Sequence, residues 1–251
     1  MASLRALMNC MAVETSGNNS ILRDFFGFLR ARVPTDPDNT VTAEVSMLSL
    51  VRGLQGRHFH LNIIQVGFDL LANVDNGWEM LDYCTYRTRN IYRTRGLELG
   101  RVLHFELLSA DARGYDSIGS NAEARDMWED FGVTNDGIDA FVTRTRSSGF
   151  TGLGLSPVNG DCSNGTDDDG NWAGDVATRS FDGLSRTFAH EIGHYLTLSH
   201  NHPDGSCPPT NAGRNRLMAQ TGCAISVRTS VNVNSGEGGD VRGHCIVKDG
   251  C

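Results

Sequence analysis

Apolar residues recur along this chain at two spacings, every second residue and every third or fourth, and these spacings mark out its elements. Residues 58–66 (HFHLNIIQV) set Phe59, Leu61 and Ile63 on one side of an extended chain, which predicts a strand. Residues 101–108 and 139–143 read as two more strands. Residues 41–51 read as an earlier one and a stretch near 175–180 as a later one. After a turn at 73–77, residues 78–95 carry Met80, Leu81, Cys84 and Ile91 at helical spacing. Residues 121–131 predict a short acidic helix, and residues 21–33 an earlier helix stopped by Pro34 and Pro37. Residues 149–157 alternate glycine with apolar side chains, as an irregular edge strand would. A polar loop at 161–172 follows. From about Leu184 a further helix begins, with Asp182 or Ser185 placed to cap it. Ser235 is placed to cap a last short helix to about His244, weakened by Gly236, Gly238 and Gly239. Helices and strands that alternate in this way predict an α+β, α/β-like class with a mixed sheet.

Composition narrows the partners. The net charge is −8, and no basic cluster offsets it, so a phosphate backbone is an unfavourable partner and nucleic acid is excluded. No apolar run approaches the ~20 residues of a membrane-crossing helix. Oligomeric state is not legible. None of the seven cysteines forms a C-x-x-C pair, and Cys162, Cys207, Cys223, Cys245 and Cys251 crowd the glycine-rich end. Disulfides that staple loops in an oxidising compartment account for that crowding, with Cys10 and Cys84 as candidate free thiols. This predicts a secreted or extracellular protein. A signal peptide is not visible, because Asn9 interrupts the short apolar run after Arg5. Residues 1–40 are read as an extension or propeptide-like segment.

The chemistry concentrates in residues 188–200 (FAHEIGHYLTLSH). On a helix His190 and His194 lie four apart on one face and can hold one ion. Glu191 is one step round, close to the ion without ligating it, where it can take a proton from a metal-bound water. His200 can supply a third nitrogen if the helix ends near Thr197 and the chain turns back. Three protein ligands leave a fourth position open, the mark of a catalytic zinc site. The predicted reaction is hydrolysis of a peptide bond in a protein or peptide substrate, by a zinc-bound water with Glu191 as general base.

This motif resembles that of the metzincin clan of zinc peptidases, H-E-x-x-H-x-x-G-x-x-H. Asn215-Arg216-Leu217-Met218 is similar to the clan's Met-turn. With residues 152–162 (GLGLSPVNGDC), the likeness covers roughly 138–223 and is nearest to reprolysin-like bacterial secreted peptidases. The resemblance implies a zinc endopeptidase, with His190, His194 and His200 as ligands, Glu191 as base and Met218 beneath the metal. It implies a twisted mixed sheet with helices in an N-terminal lobe, 41–202, and a small irregular C-terminal lobe, 203–251, with the zinc cleft between them. Gly152, Leu153, Gly154 and Leu155 would pair with an extended substrate, and residues 219–221 would shape a side-chain pocket. Two positions depart from the pattern. Thr197 replaces the glycine at the helix's turn, and a shifted turn would let His202 or Asp204 compete with His200. Gln220 stands where some members carry a zinc-reaching tyrosine.

Other features carry less. Residues 161–169 invite a calcium site but miss the EF-hand template, because Val176 falls where the template needs a glutamate. His58, His60 and His104 read as core or surface residues on strands, and His244 as structural. Cys10 does not match the known cysteine switch. Two rival readings stand beside the peptidase: a zinc-stabilised binding module without turnover, which would not need Glu191, and a delivered effector with one dedicated protein substrate.

Overall fold

A computed structural model describes residues 56–162 and 170–250. The predicted helix at 21–33, the strand at 41–51, Cys10, Cys251 and most of the candidate calcium loop lie outside those residues.

The sheet is built from β1 (Arg57–Val66), β2 (Leu97–Leu107), β4 (Gly137–Thr143) and β6 (Gly170–Asp175), in the order β2-β1-β4-β6 and all parallel. Register pairs Ile63 with His104 on one side and Ala140 on the other, and Phe141 with Trp172. Two short strands, β3 (Ser117–Ile118) and β5 (Thr145–Arg146), pair separately. Near the C-terminus β7 (Lys248–Asp249) returns antiparallel to the start of β1. The sheet is therefore mixed although its body is parallel, as the alternating elements predicted.

Strands buried on both faces need helices on both. On one face α1 (Val74–Arg93) and α3 (Phe181–Tyr195) cover Phe59, Leu61, Ile63, Ile138, Ala140 and Ala173. On the other α2 (Asn121–Phe131) lays Met127 and Trp128 over Ile64, Val66, Phe141 and Trp172. The expected edge strand at 149–157 pairs at one residue: Leu155 exchanges both backbone hydrogen bonds with Trp172, 2.8 Å each, antiparallel to β6.

Four expectations about boundaries are corrected. The strand near 175–180 lies instead at Gly170–Asp175. It ends because the Asp175 carboxylate turns to accept from the backbone N–H and the hydroxyl of Thr178. Neither Asp182 nor Ser185 caps α3. Ser180 does, accepting from Gly183 N at 3.1 Å, while Asp182 accepts from the Tyr83 hydroxyl at 2.5 Å. The turn at 73–77 is the first turn of α1, because the Asn73 side chain accepts from Asn76 N and starts the helix there. The last helix, α4 (Ser235–Gly243), is capped by Asn234 rather than Ser235. A reciprocal capping box with Glu237 offsets its glycines.

Candidate metal centre

Helix α3 aims the histidines. Leu184, Phe188 and Ile192 are buried against the sheet and fix its roll. Small residues on its other faces admit close neighbours. The Tyr92 hydroxyl of α1 donates to Ala189 O at 2.7 Å, and a Cβ at Gly193 would stand 2.8 Å from Met218 Sδ and 3.0 Å from the Tyr92 hydroxyl. Only glycine lets Met218, itself fully buried, sit directly under the turn that separates His190 from His194.

The helix ends as its sequence requires, at a cost. Thr197 N donates to His194 O (2.9 Å) and Leu198 N to Gly193 O (2.8 Å), the paired bonds of a Schellman motif. That motif needs a left-handed residue at Thr197, and its φ is +82°. The turn thus stays where the clan places a glycine, and a β-branched residue bears it. Because the turn does not shift, neither His202 nor Asp204 replaces His200. His202 Nδ1 faces the Ser206 hydroxyl at 2.9 Å, and Asp204 faces His200.

The Nε2 atoms of His190, His194 and His200 lie 3.1, 3.1 and 3.2 Å apart. They are not hydrogen-bonded to one another. His190 Nδ1 meets Leu217 O at 2.8 Å and His194 Nδ1 meets Leu198 O at 2.7 Å. A carbonyl only accepts, so these Nδ1 atoms carry the protons and the Nε2 lone pairs converge. His200 Nδ1 meets Asp204 Oδ1 at 2.5 Å, and Asp204 also accepts from Gln220 Nε2. Three converging lone pairs repel unless a cation lies among them. Nitrogens bound at ~2.0–2.1 Å in a tetrahedron sit ~3.4 Å apart, close to the spacing here. The donor set, the spacing and the oriented Nδ1 atoms fit a zinc ion.

Electrostatics agree with that fit. Burial holds His190 well below the usual imidazole range, and His194 is lowered to about 4 by burial and by the neighbouring His200, so both are neutral donors at pH 7. Burial pushes the Glu191 carboxyl up to about 8, opposed by the charges of Arg179 and Arg186. These groups open onto a cleft of about 980 Å³, lined on one side by Leu153, Gly154 and Leu155 and on the other by residues of the return loop, including His202, Gln220 and Thr221. Two disulfides, Cys162–Cys245 and Cys207–Cys223, staple the loops on either side. Cys84 is a free, buried thiol, as one of the sequence alternatives had it.

Residues 89–231 match the family model Reprolysin_5 of Metallo-peptidase family M12. The chain is an M12 metallopeptidase. The metzincin resemblance read from residues 188–200 and 215–218 is borne out by that match. No curated protein matches this peptidase. Among solved structures it is similar to a chain of a chaperone–substrate complex, at TM-score 0.47 and 13% identity over 74% of this chain and 33% of that one. It is also similar to metalloproteinase-II from Bacteroides fragilis, at 0.47 and 13% over 73% and 52%. A third is archaemetzincin from Methanopyrus kandleri, at 0.44 and 16% over 73% and 94%. The M12 chain spans about a third of the first of these and about half of the second.

Several residues of the site have roles that the sequence does not show. Asp204 was weighed as a rival ligand, yet it orients His200; the four-residue step from His200 was the available signal. Gln220 supports Asp204 from the position of the missing tyrosine. Gly154 packs so closely on Glu191 that a Cβ there would stand 2.5 Å from Oε1. Arg179 and Arg186, whose charges act on Glu191, gave no sequence signal beyond Arg186 lying four residues before His190. His58, His60 and His104 lie on β1 and β2, on different elements from this centre.

Proposed function

We propose that this M12 metallopeptidase is a secreted zinc endopeptidase in which His190, His194 and His200 hold the metal and Glu191 is the general base. The observation that carries the reading is the convergence of three oriented Nε2 lone pairs beside the buried Glu191 carboxyl in an open cleft. Zinc bound there would supply Lewis acidity, lowering the pKa of water from ~15.7 to ~7 and polarising a carbonyl.

The chain's own residues do the rest. Glu191 removes a proton from the attacking water, whose oxygen bonds to the scissile carbonyl carbon. The carboxyl then delivers that proton to the leaving nitrogen as the C–N bond breaks, giving a carboxylate and an amine. Met218 packs beneath the ligand helix and fixes the depth of the site. The substrate lies extended along the edge. Leu155 spends its N–H and C=O on Trp172, and Gly152 O and Leu153 O accept from Arg146 (2.7 Å) and Arg179 (3.0 Å). In an extended chain the next residue's groups point the opposite way. Of Gly152, Leu153, Gly154 and Leu155, it is Gly154 that offers both N–H and C=O to a substrate strand.

An internal bond is favoured over a terminal one. No lysine or arginine lines the cleft among the described residues to capture a terminal carboxylate, and Asp204 is engaged by His200 and Gln220. Residues 41–202 and 203–251 are taken as the lobes flanking the cleft. Two disulfides fit an oxidising, extracellular setting, and among the described residues no helix is long and apolar enough to cross a membrane.

The test compares hydrolysis of a mixed peptide library by wild type and Glu191→Ala at matched zinc content. The expected result is cutting by wild type at internal bonds and none by the variant, with zinc retained by both. If both hold zinc and neither cuts, the general peptidase reading fails, and a binding module or a single dedicated substrate replaces it.

A further inference from the structure

Arg186 is fully buried on α3, one helical turn before His190 and on the same face. Its guanidinium is wrapped by residues 216–230 of the return loop that follows α3. Nε donates to Ser230 O (3.0 Å), and Nη1 donates to Thr221 Oγ1 (2.8 Å). Nη2 donates to Arg216 O (3.3 Å), Leu217 O (3.0 Å) and Ala219 O (2.6 Å). All five hydrogen-bond acceptors are neutral, so every direct bond to this desolvated cation comes from an oriented dipole. That arrangement is costly to build and unnecessary for a loop that only needs packing.

Two of those acceptors lead elsewhere. Leu217 O is also the partner of His190 Nδ1, so one carbonyl is gripped from both sides, by Arg186 and by a candidate zinc ligand. Thr221 lines the cleft, and its oxygen is engaged as an acceptor from Arg186. With one lone pair used, the hydroxyl keeps its hydrogen and its second lone pair, so it stays able to hydrogen-bond a bound molecule.

We propose that Arg186 is a positioning residue which fixes, through the one loop it binds, both the carbonyl that orients His190 and the Thr221 hydroxyl at the wall of the cleft. The substrates favoured are peptides whose side chain at that point carries a hydrogen-bonding amide, glutamine or asparagine, over apolar side chains of similar size. The inference rests on the zinc peptidase reading of the same site.

The test uses the whole chain and three variants: Arg186→Lys, Thr221→Val and Thr221→Ser. Zinc affinity is measured by chelator competition, folding by circular dichroism, and selectivity as the kcat/KM ratio between paired glutamine and methionine peptides. Arg186→Lys keeps the charge and loses the fork, and while folded it should bind zinc about 10–100-fold more weakly. Thr221→Val should bind zinc as wild type does but lower the glutamine preference about 3–10-fold, with Thr221→Ser restoring it. A folded Arg186→Lys that binds zinc as wild type does, or a Thr221→Val with unchanged selectivity, overturns the proposal. If Arg186→Lys does not fold, the contrast between Thr221→Val and Thr221→Ser decides alone. A wild type that takes no zinc would instead overturn the reading of the site itself.

Discussion

Replacing Thr197 by glycine should stabilise this protein, which is the reverse of what most glycine substitutions do. Thr197 is the left-handed residue of the Schellman motif that ends α3, at φ +82°. A residue with a Cβ costs ~1–2 kcal/mol in that conformation, and a β-branched one takes the upper end. Glycine removes that strain but gains freedom in the unfolded chain, worth ~0.5–1 kcal/mol against it. No hydrogen bond of the Thr197 side chain enters the balance among the described residues. The net gain is about 1 kcal/mol, and a chain of this size should melt ~2–4 °C higher. Zinc-free protein is the sample, so that metal linkage does not enter the comparison. Thr197→Ala serves as the control: it keeps the Cβ in the left-handed region, loses only the branch, and should recover less than half of the gain. Zinc affinity should hold, because Leu198 O, which orients His194, is set by the motif's backbone bonds. A Thr197→Gly protein that melts at or below wild type, or below Thr197→Ala, would refute the assignment of strain to this residue.

Other substitutions probe the rest of the centre. Asp204→Ala removes the carboxylate that meets His200 Nδ1 and should weaken zinc binding about 10–100-fold, as read by chelator competition. Gly154→Ala places a Cβ against Glu191 and should lower kcat/KM about 10–100-fold with zinc content unchanged, as read by peptide hydrolysis beside metal analysis. Replacing Cys207 and Cys223 by serine opens a loop with a sequence separation of 16 that contains Met218. It should cost about 3 kcal/mol in denaturant unfolding, with zinc retention falling as the loop loosens.

What the sequence determined by itself is what local periodicity can encode. Strand alternation named the face of β1 that packs on α1 and α3, through Phe59, Leu61 and Ile63. Helical spacing put His190 and His194 on one face with Glu191 beside them, because 3.6 residues per turn leaves no other arrangement. The family's pattern added His200 and Met218, which no periodicity reaches. Tertiary structure decided whatever depends on a partner distant along the chain. Ser180 caps α3 because Asp182, an equally good cap by residue type, is drawn to Tyr83 ninety-nine residues earlier. The strand near 175–180 was misplaced because Asp175 and Thr178 look extended until the carboxylate folds onto the next turn. The turn at Thr197 keeps its place because the backbone bonds of the Schellman motif and the histidine contacts outweigh one strained residue. His190 finds Leu217 twenty-seven residues on, and Arg186 finds Ser230 forty-four residues on. Such contacts join a side chain to a backbone carbonyl, and every residue carries a carbonyl. Residue type therefore cannot mark which one is chosen, and only the path of the return loop selects it.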